Sequence, residues 1–200
     1  MNFVENLSGK KCLVIGAGVT GKAVAKALIG FQATPILFDD NPNSHEEVVT
    51  EIPNGINLAI VSPGWRMDHP VFDQLKKSGV EIFSEIDFAW MVKQVVAPNQ
   101  KWVGLTGTNG KTTTKEICQR VLEGHFDTKC TQGNFNNHIG VPLTLLSLKP
   151  TTEIGIIELG TNHHGIIRSL KIKIHPSSRR RITFHIKSIP IKPKRAISKM

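Results

Sequence analysis

The sequence contains no tyrosine, three cysteines in 200 residues, and no apolar run near the ~18 residues that a membrane-spanning helix needs. Cys12, Cys118 and Cys130 are odd in number, widely spaced and in no C-x-x-C pair. A disulfide framework and a cysteine-rich zinc site are therefore not expected. The first eleven residues are polar and carry no signal-peptide core, so no membrane is expected as a partner and the cytoplasm is the expected compartment.

Acidic residues are missing from one region only. Residues 166–200 hold eleven of the 25 Lys and Arg residues and no Asp or Glu. The preceding 165 residues keep 14 basic and 16 acidic side chains, a net charge of −2. The formal charge of +9 and the pI near 9.6 thus belong to a tail and not to a fold. A basic nucleic-acid-binding protein acting through residues 166–200 is one reading of that tail. Against it stands the near absence of aromatics there, Phe184 being the only one, so nucleic acid is not expected as a partner. The tail also has nine isoleucines, three prolines and no sustained period, and it is not expected to join the fold.

With 40% hydrophobic and 20% charged residues, the rest reads as a globular protein of one domain or two small ones. Short β-branched runs at 12–15, 35–38, 58–61 and 80–83 predict strands, and 22–31 and 71–77 carry apolar residues at helical spacing. Proline and polar residues at 97–100 break this rhythm and predict a domain boundary. It restarts with a strand at 102–105, a loop at 107–110 and a helix at 111–122. A Gly/Asn-rich loop at 132–138, a helix at 141–148 and a strand at 153–158 follow. The expected class is α/β: a Rossmann-like N-terminal domain over 1–97, then the first part of a P-loop-type α/β ATPase domain over 98–165, with 166–200 as tail.

The sequence TGTNGKTTT at 106–114 lies between a predicted strand and a predicted helix. Glycines there let backbone N–H groups converge on phosphate oxygens, and the helix N-terminus adds partial positive charge. Gly107, Thr108, Asn109, Gly110, Lys111, Thr112 and Thr113 are the expected ATP contacts. Lys111 would reach the β- and γ-phosphates, and Thr112 would give its hydroxyl to Mg²⁺. The general pattern places its first glycine at 105, where this chain has leucine, so the loop is a variant one. A second metal contact, an acid ending a neighbouring strand, is expected at Glu158.

The sequence GAGVTG at 16–21 fits the dinucleotide fingerprint, with Asp39 and Asp40 at the end of the next strand. Alone it allows a dinucleotide-dependent oxidoreductase, but a second, ATP-type loop favours another chemistry. His163 and His164 are adjacent, lack a third ligand at suitable spacing, and read as loop histidines. Asn136 and Asn137 either orient substrate or nucleotide, or serve the turn itself.

TGTNGKTT at 106–113 resembles the ATP loop of the ATP-dependent muramyl peptide ligases of bacterial cell-wall synthesis. The first hundred residues, through GAGVTG at 16–21, Asp39 and SPGWRMDHP at 62–70, resemble the type that adds D-glutamate to UDP-N-acetylmuramoyl-L-alanine. GNFNNHIGVP at 133–142 and IELGTNHHG at 157–165 look more like the type that adds D-alanyl-D-alanine to the UDP-muramoyl tripeptide. The resemblance implies that Val19 and Thr20 meet a diphosphate and that Asp39 and Asp40 lie at the uracil end. It implies ATP and Mg²⁺ as cofactors, Lys111 and Glu158 as catalytic groups, and a UDP-N-acetylmuramoyl peptide and an amino-acid acceptor as partners. The reaction it implies is an ATP-dependent ligation through an acyl phosphate. The later contacts of the family's ATPase domain and its C-terminal domain have no counterpart in these residues, so the chain by itself is expected to be inactive.

Overall fold

A computed structural model describes residues 3–41, 48–66, 68–107 and 109–160. The tail, Thr108, His163 and His164 lie outside the described residues. Among the described residues, no helix is long and apolar enough to cross a membrane.

The described residues form an α/β structure with two parallel sheets. After a short 3-10 turn at Glu5–Leu7, the first unit runs β1 (Lys11–Ile15), α1 (Val19–Gly30), β2 (Thr34–Phe38), β3 (Val48–Val49), β4 (Leu58–Val61), α2 (Pro70–Lys77), β5 (Glu81–Ser84) and α3 (Glu85–Val96). Its five strands lie in the order β3-β2-β1-β4-β5, all parallel. Strand β1 is central and covered on both faces, which is why Cys12, Leu13, Val14 and Ile15 form an unbroken apolar run. One face packs Val24 and Leu28 of α1 with Phe88 of α3, and the other packs Val71, Phe72 and Leu75 of α2. Strand order reverses between β1 and β4, so their C-terminal ends open a crevice of the kind that receives ligands in such sheets.

The second unit runs β6 (Lys101–Leu105), α4 (Lys111–Leu122), β7 (Thr128–Cys130), α5 (Gly140–Ser147) and β8 (Ile154–Glu158), with strand order β6-β8-β7. Leu105 is paired with Glu158, so the loop leaving β6 starts beside the last residue of the central strand. Helix α3 precedes the proline break yet packs Ile86 and Ala89 against Val141, Leu145 and Ile157 of the second unit.

Four elements differ from the expectations. Helix α1 begins at Val19, inside the glycine fingerprint, because Gly18 caps it with extended backbone. Helix α3 starts at a reciprocal capping box: the Asp87 N–H donates to Ser84 Oγ at 3.1 Å and the Ser84 N–H donates to Asp87 Oδ2 at 3.3 Å. Such a cap stabilises a helix by about 1 kcal/mol. The short strands β3 and β7 have two and three residues and carry no period of their own. All three cysteines are free, and burial pushes the Cys12 thiol up to about 11, which keeps it unreactive near neutral pH.

Candidate functional site

Two glycine loops stand at C-terminal ends of parallel strands. In the second unit, β6 delivers the chain to Gly107, and α4 opens on Gly110. Gly110 adopts φ 75°, the left-handed region that a side chain disfavours, and offers no side-chain cap to the first turn. The N-terminus of α4 carries the partial positive charge that favours an anion. Thr112 and Thr113 are exposed on that turn. The Lys111 ammonium folds across the loop and donates to the Gly107 carbonyl at 2.6 Å.

Glu158 lies directly beneath and is 1% exposed. Its carboxylate accepts from the Thr112 hydroxyl at 3.2 and 3.3 Å and from Asn136 Nδ2 at 2.9 Å. Its backbone N–H donates to Thr131 Oγ1 at 2.9 Å, fixing the end of β8. Lys115, one turn beyond Lys111, pairs with Glu158 Oε2 at 3.5 Å. Thr112 and Glu158 therefore converge as two hard oxygen donors, the set that suits Mg²⁺. Among the described residues no group of three or more His, Cys, Asp or Glu side chains is placed to hold a metal.

The two asparagines separate. Asn136 reaches Glu158. Asn137 instead serves the turn, its Oδ1 accepting from the N–H groups of Ile139 at 3.0 Å and Gly140 at 2.8 Å at the start of α5.

In the first unit the Asp39 carboxylate accepts from the Ala17 N–H at 2.9 Å, holding the first glycine loop. Val19 is 68% exposed at the N-terminus of α1, whereas Thr20 is 5% exposed. The Thr20 hydroxyl faces Ser62 Oγ at 3.3 Å, and Ser62 donates to Glu85 Oε1 at 2.6 Å. Burial raises the Glu85 pKa above the ordinary glutamate value, and its Oε2 has no hydrogen-bond partner. Asp40 lines a groove of about 390 Å³ with Phe38, Thr50, Glu51, His69 and Gln74. His69 Nδ1 accepts from the Val71 N–H at 3.2 Å, capping α2, so its proton sits on Nε2 and points to Asp40 Oδ2 at 3.2 Å. Trp65 stands edge-on to His69, ring centres 4.9 Å apart, and tilted against Phe38 at 5.5 Å.

The family model described as the Mur ligase middle domain matches residues 105–177. The chain is related to the Mur ligases. It is 30% identical over 175 residues to a UDP-N-acetylmuramoylalanine–D-glutamate ligase of Nocardia farcinica, covering 80% of this chain and 36% of that protein. Over 76 residues it is 45% identical to the UDP-N-acetylmuramoyl-tripeptide–D-alanyl-D-alanine ligase of Bacillus subtilis, covering 38% of this chain and 17% of that protein. Among solved structures, the MurF ligase of Thermotoga maritima in complex with ADP aligns with 85% of this chain and 34% of its own, at 21% identity and TM-score 0.42. The chain spans about a third of the length of the D-glutamate ligases it matches.

In this Mur ligase relative the structure adds residues that the sequence reading passed over. Lys115, Thr131, Ser62, Glu85 and His69 are polar groups brought to the two loops from elsewhere in the fold. Ser62 and His69 lie within a stretch already singled out, and Lys115 stands one helical turn past Lys111. Nothing local marks Thr131 or Glu85.

Proposed function

We propose that this chain carries the UDP-substrate unit and the phosphate-loop segment of an ATP-dependent muramyl peptide ligase of peptidoglycan precursor synthesis. Residues 1–97 hold the UDP end of the muramyl substrate and 98–165 hold Mg–ATP, in a cytoplasmic protein. The observation that carries this reading is the convergence of Thr112 and Asn136 on the buried Glu158, beside a glycine loop that opens a helix.

The chemistry such a site supports is phosphoryl transfer. The terminal carboxylate of the muramyl substrate attacks the γ-phosphorus of ATP, ADP leaves, and an acyl phosphate results. The amine of the incoming amino acid then displaces inorganic phosphate and forms the amide. Here the loop residues 107–113 cradle the triphosphate with their backbone N–H groups, and the Lys111 ammonium exchanges the Gly107 carbonyl for phosphate oxygens. Thr112 and Glu158 would hold Mg²⁺, which neutralises charge on the β- and γ-phosphates when bound. In the first unit, Val19 and Thr20 receive the diphosphate through the N-terminus of α1. Asp40 faces the uridine side of the groove, with Asp39 holding the loop behind it.

D-glutamate is the favoured acceptor, because similarity to the D-glutamate-adding ligases extends over 80% of this chain. Addition of D-alanyl-D-alanine is the second reading, favoured by the higher identity of the shorter match. Two titrations test the proposal. A fluorescent ATP analogue should bind in a Mg²⁺-dependent way and lose at least tenfold affinity in Lys111→Ala and Thr112→Ala; binding indifferent to Mg²⁺ and to both substitutions would refute the nucleotide site. UDP-N-acetylmuramoyl-L-alanine should bind more tightly than the UDP-muramoyl tripeptide, and the reverse order would transfer the assignment to the second reading.

A further inference from the structure

A lysine with a charged head group is rarely buried without a specific partner. Lys115 is 4% exposed, on the face of α4 turned to the sheet. Its ammonium has three protons and three acceptors: the Thr131 carbonyl at 2.9 Å, the Gly133 carbonyl at 3.5 Å and Glu158 Oε2 at 3.5 Å. The first two belong to the segment that leaves β7 and leads to Asn136. The third is the carboxylate that also receives Thr112 and Asn136. One ammonium thus ties the phosphate-loop helix, the Gly/Asn-rich loop and the end of β8 into one polar cluster.

We propose that Lys115 is a positioning residue that serves as the resident counter-ion of Glu158 and thereby prevents a free divalent cation from occupying the site ahead of the nucleotide. This rests on the reading of Glu158 as the metal carboxylate. A buried carboxylate without a counter-charge is costly, and either a cation or a proton must relieve it. With Lys115 in place the carboxylate is already compensated and its oxygens are aimed at Thr112. A divalent ion arriving alone would then meet one carboxylate and one hydroxyl with an ammonium a few ångströms away, and repulsion from that ammonium weakens its hold. Arriving with the phosphates, the same ion brings its own negative charge and the repulsion is offset. The cluster therefore favours loading of the metal as its nucleotide complex. The two carbonyl contacts give Lys115 a second consequence: it holds residues 131–133 against α4, and so keeps Asn136 on Glu158.

The test is a titration of the full chain with Mn²⁺ alone, followed by electron paramagnetic resonance of the free ion, in wild type, Lys115→Met and Lys115→Arg. Lys115→Met is expected to bind Mn²⁺ without nucleotide at least tenfold more tightly than wild type, and Lys115→Arg, which keeps the charge, to stay near wild type. Adding Glu158→Gln to Lys115→Met should abolish the gain. Equal Mn²⁺ affinity in wild type and folded Lys115→Met would overturn the proposal, as would a gain that survives Glu158→Gln. Where Lys115→Met does not fold in metal-free buffer, the readout is the thermal transition. Recovery of a cooperative transition on adding Mn²⁺ supports the proposal, and no recovery in a chain that the Lys115→Met/Glu158→Gln double variant folds overturns it. Failure here leaves Mg-dependent nucleotide binding by the wild type intact, whereas failure of the nucleotide site itself appears as wild-type chain that does not bind the ATP analogue.

Discussion

Two glycines of α1, nine residues apart, should respond in opposite directions to the same substitution. A Cβ on Gly21 would lie 1.8 Å from the Gly16 carbonyl oxygen, 3.0 Å from its carbon and 3.4 Å from Val14 Cγ1. The two shortest contacts are backbone, not the movable end of a side chain, so α1 and the first glycine loop must part by roughly 1.6 Å to restore ordinary van der Waals contact. Neither is free to move. The Gly16 N–H donates to the Phe38 carbonyl at 2.8 Å, and α1 buries Thr20, Val24, Ala25 and Leu28. A gap of that size forfeits a large part of the contact energy along the helix, and overpacking alone costs about 1–3 kcal/mol. With the loop distorted as well, Gly21→Ala is expected to lose about 3 kcal/mol, at the upper end of that range. Gly30 is in the last turn of the same helix, and a Cβ there meets nothing within 4 Å. Gly30→Ala should therefore gain about 0.5–1 kcal/mol by stiffening the unfolded chain and raising helix propensity. Urea unfolding of the three proteins, followed by circular dichroism, reads both values. Gly21→Ala within 0.5 kcal/mol of wild type would refute the close approach of helix and loop on which the first site is built.

Glu85→Gln should make stability less dependent on pH. The folded carboxyl holds its proton above the ordinary value of 4.5, so over that window the folded chain binds more protons than the unfolded one and loses stability as pH rises, by at most about 1.4 kcal/mol per pH unit. Glutamine has no proton to lose, so the melting temperature of Glu85→Gln minus that of wild type should increase from pH 4.5 toward neutrality; a difference constant across that range would contradict the buried, proton-holding acid. Asn137→Ala removes the acceptor of two N–H groups at the start of α5 and should cost about 1 kcal/mol in denaturant unfolding. An equal loss from Asn136→Ala with no change in nucleotide affinity would argue that both asparagines serve only the turn.

The phosphate loop was legible because its chemistry is local. Strand, loop and helix are contiguous in sequence, and the expected helix at 111–122 coincides with α4. Four of the five strands of the first sheet were legible for the same reason, being short apolar runs separated by turn residues, whereas the two-residue β3 was not. Helix α3 was not. Wedged between two cores, it buries Ile86, Phe88, Ala89 and Lys93, and this spread of buried positions blurs the period that reveals a surface helix. Its signal was the serine and aspartate of the capping box at 84 and 87. Lys115 was hidden by a different cause: a lysine on a helix reads as solvated, and its partners are 16, 18 and 43 residues downstream. The fold alone brings them together.

The two loops also differ in how each treats a buried acid, and that difference bears on what each can hold. Beneath the first loop, Glu85 is 1% exposed and is met by hydroxyls, with Ser62 Oγ at 2.6 Å and one oxygen left without a hydrogen-bond partner. Burial raises its pKa, so the carboxyl in that setting holds its proton more firmly than an exposed glutamate does. Beneath the second loop, Glu158 is equally buried but is met by an ammonium, a hydroxyl and an amide N–H, where Glu85 meets hydroxyls alone. A nucleoside diphosphate bound through a helix N-terminus needs no metal. Transfer of a γ-phosphoryl group needs charge neutralised at the β–γ bridge, and beneath the second loop a carboxylate stands within 3.3 Å of the loop hydroxyl. On the proposed division between a substrate-holding unit and an ATP-holding unit, divalent cations should strengthen nucleotide binding at the second loop while leaving uridine-nucleotide binding at the first unchanged, and an equal response of both to divalent cations would contradict it.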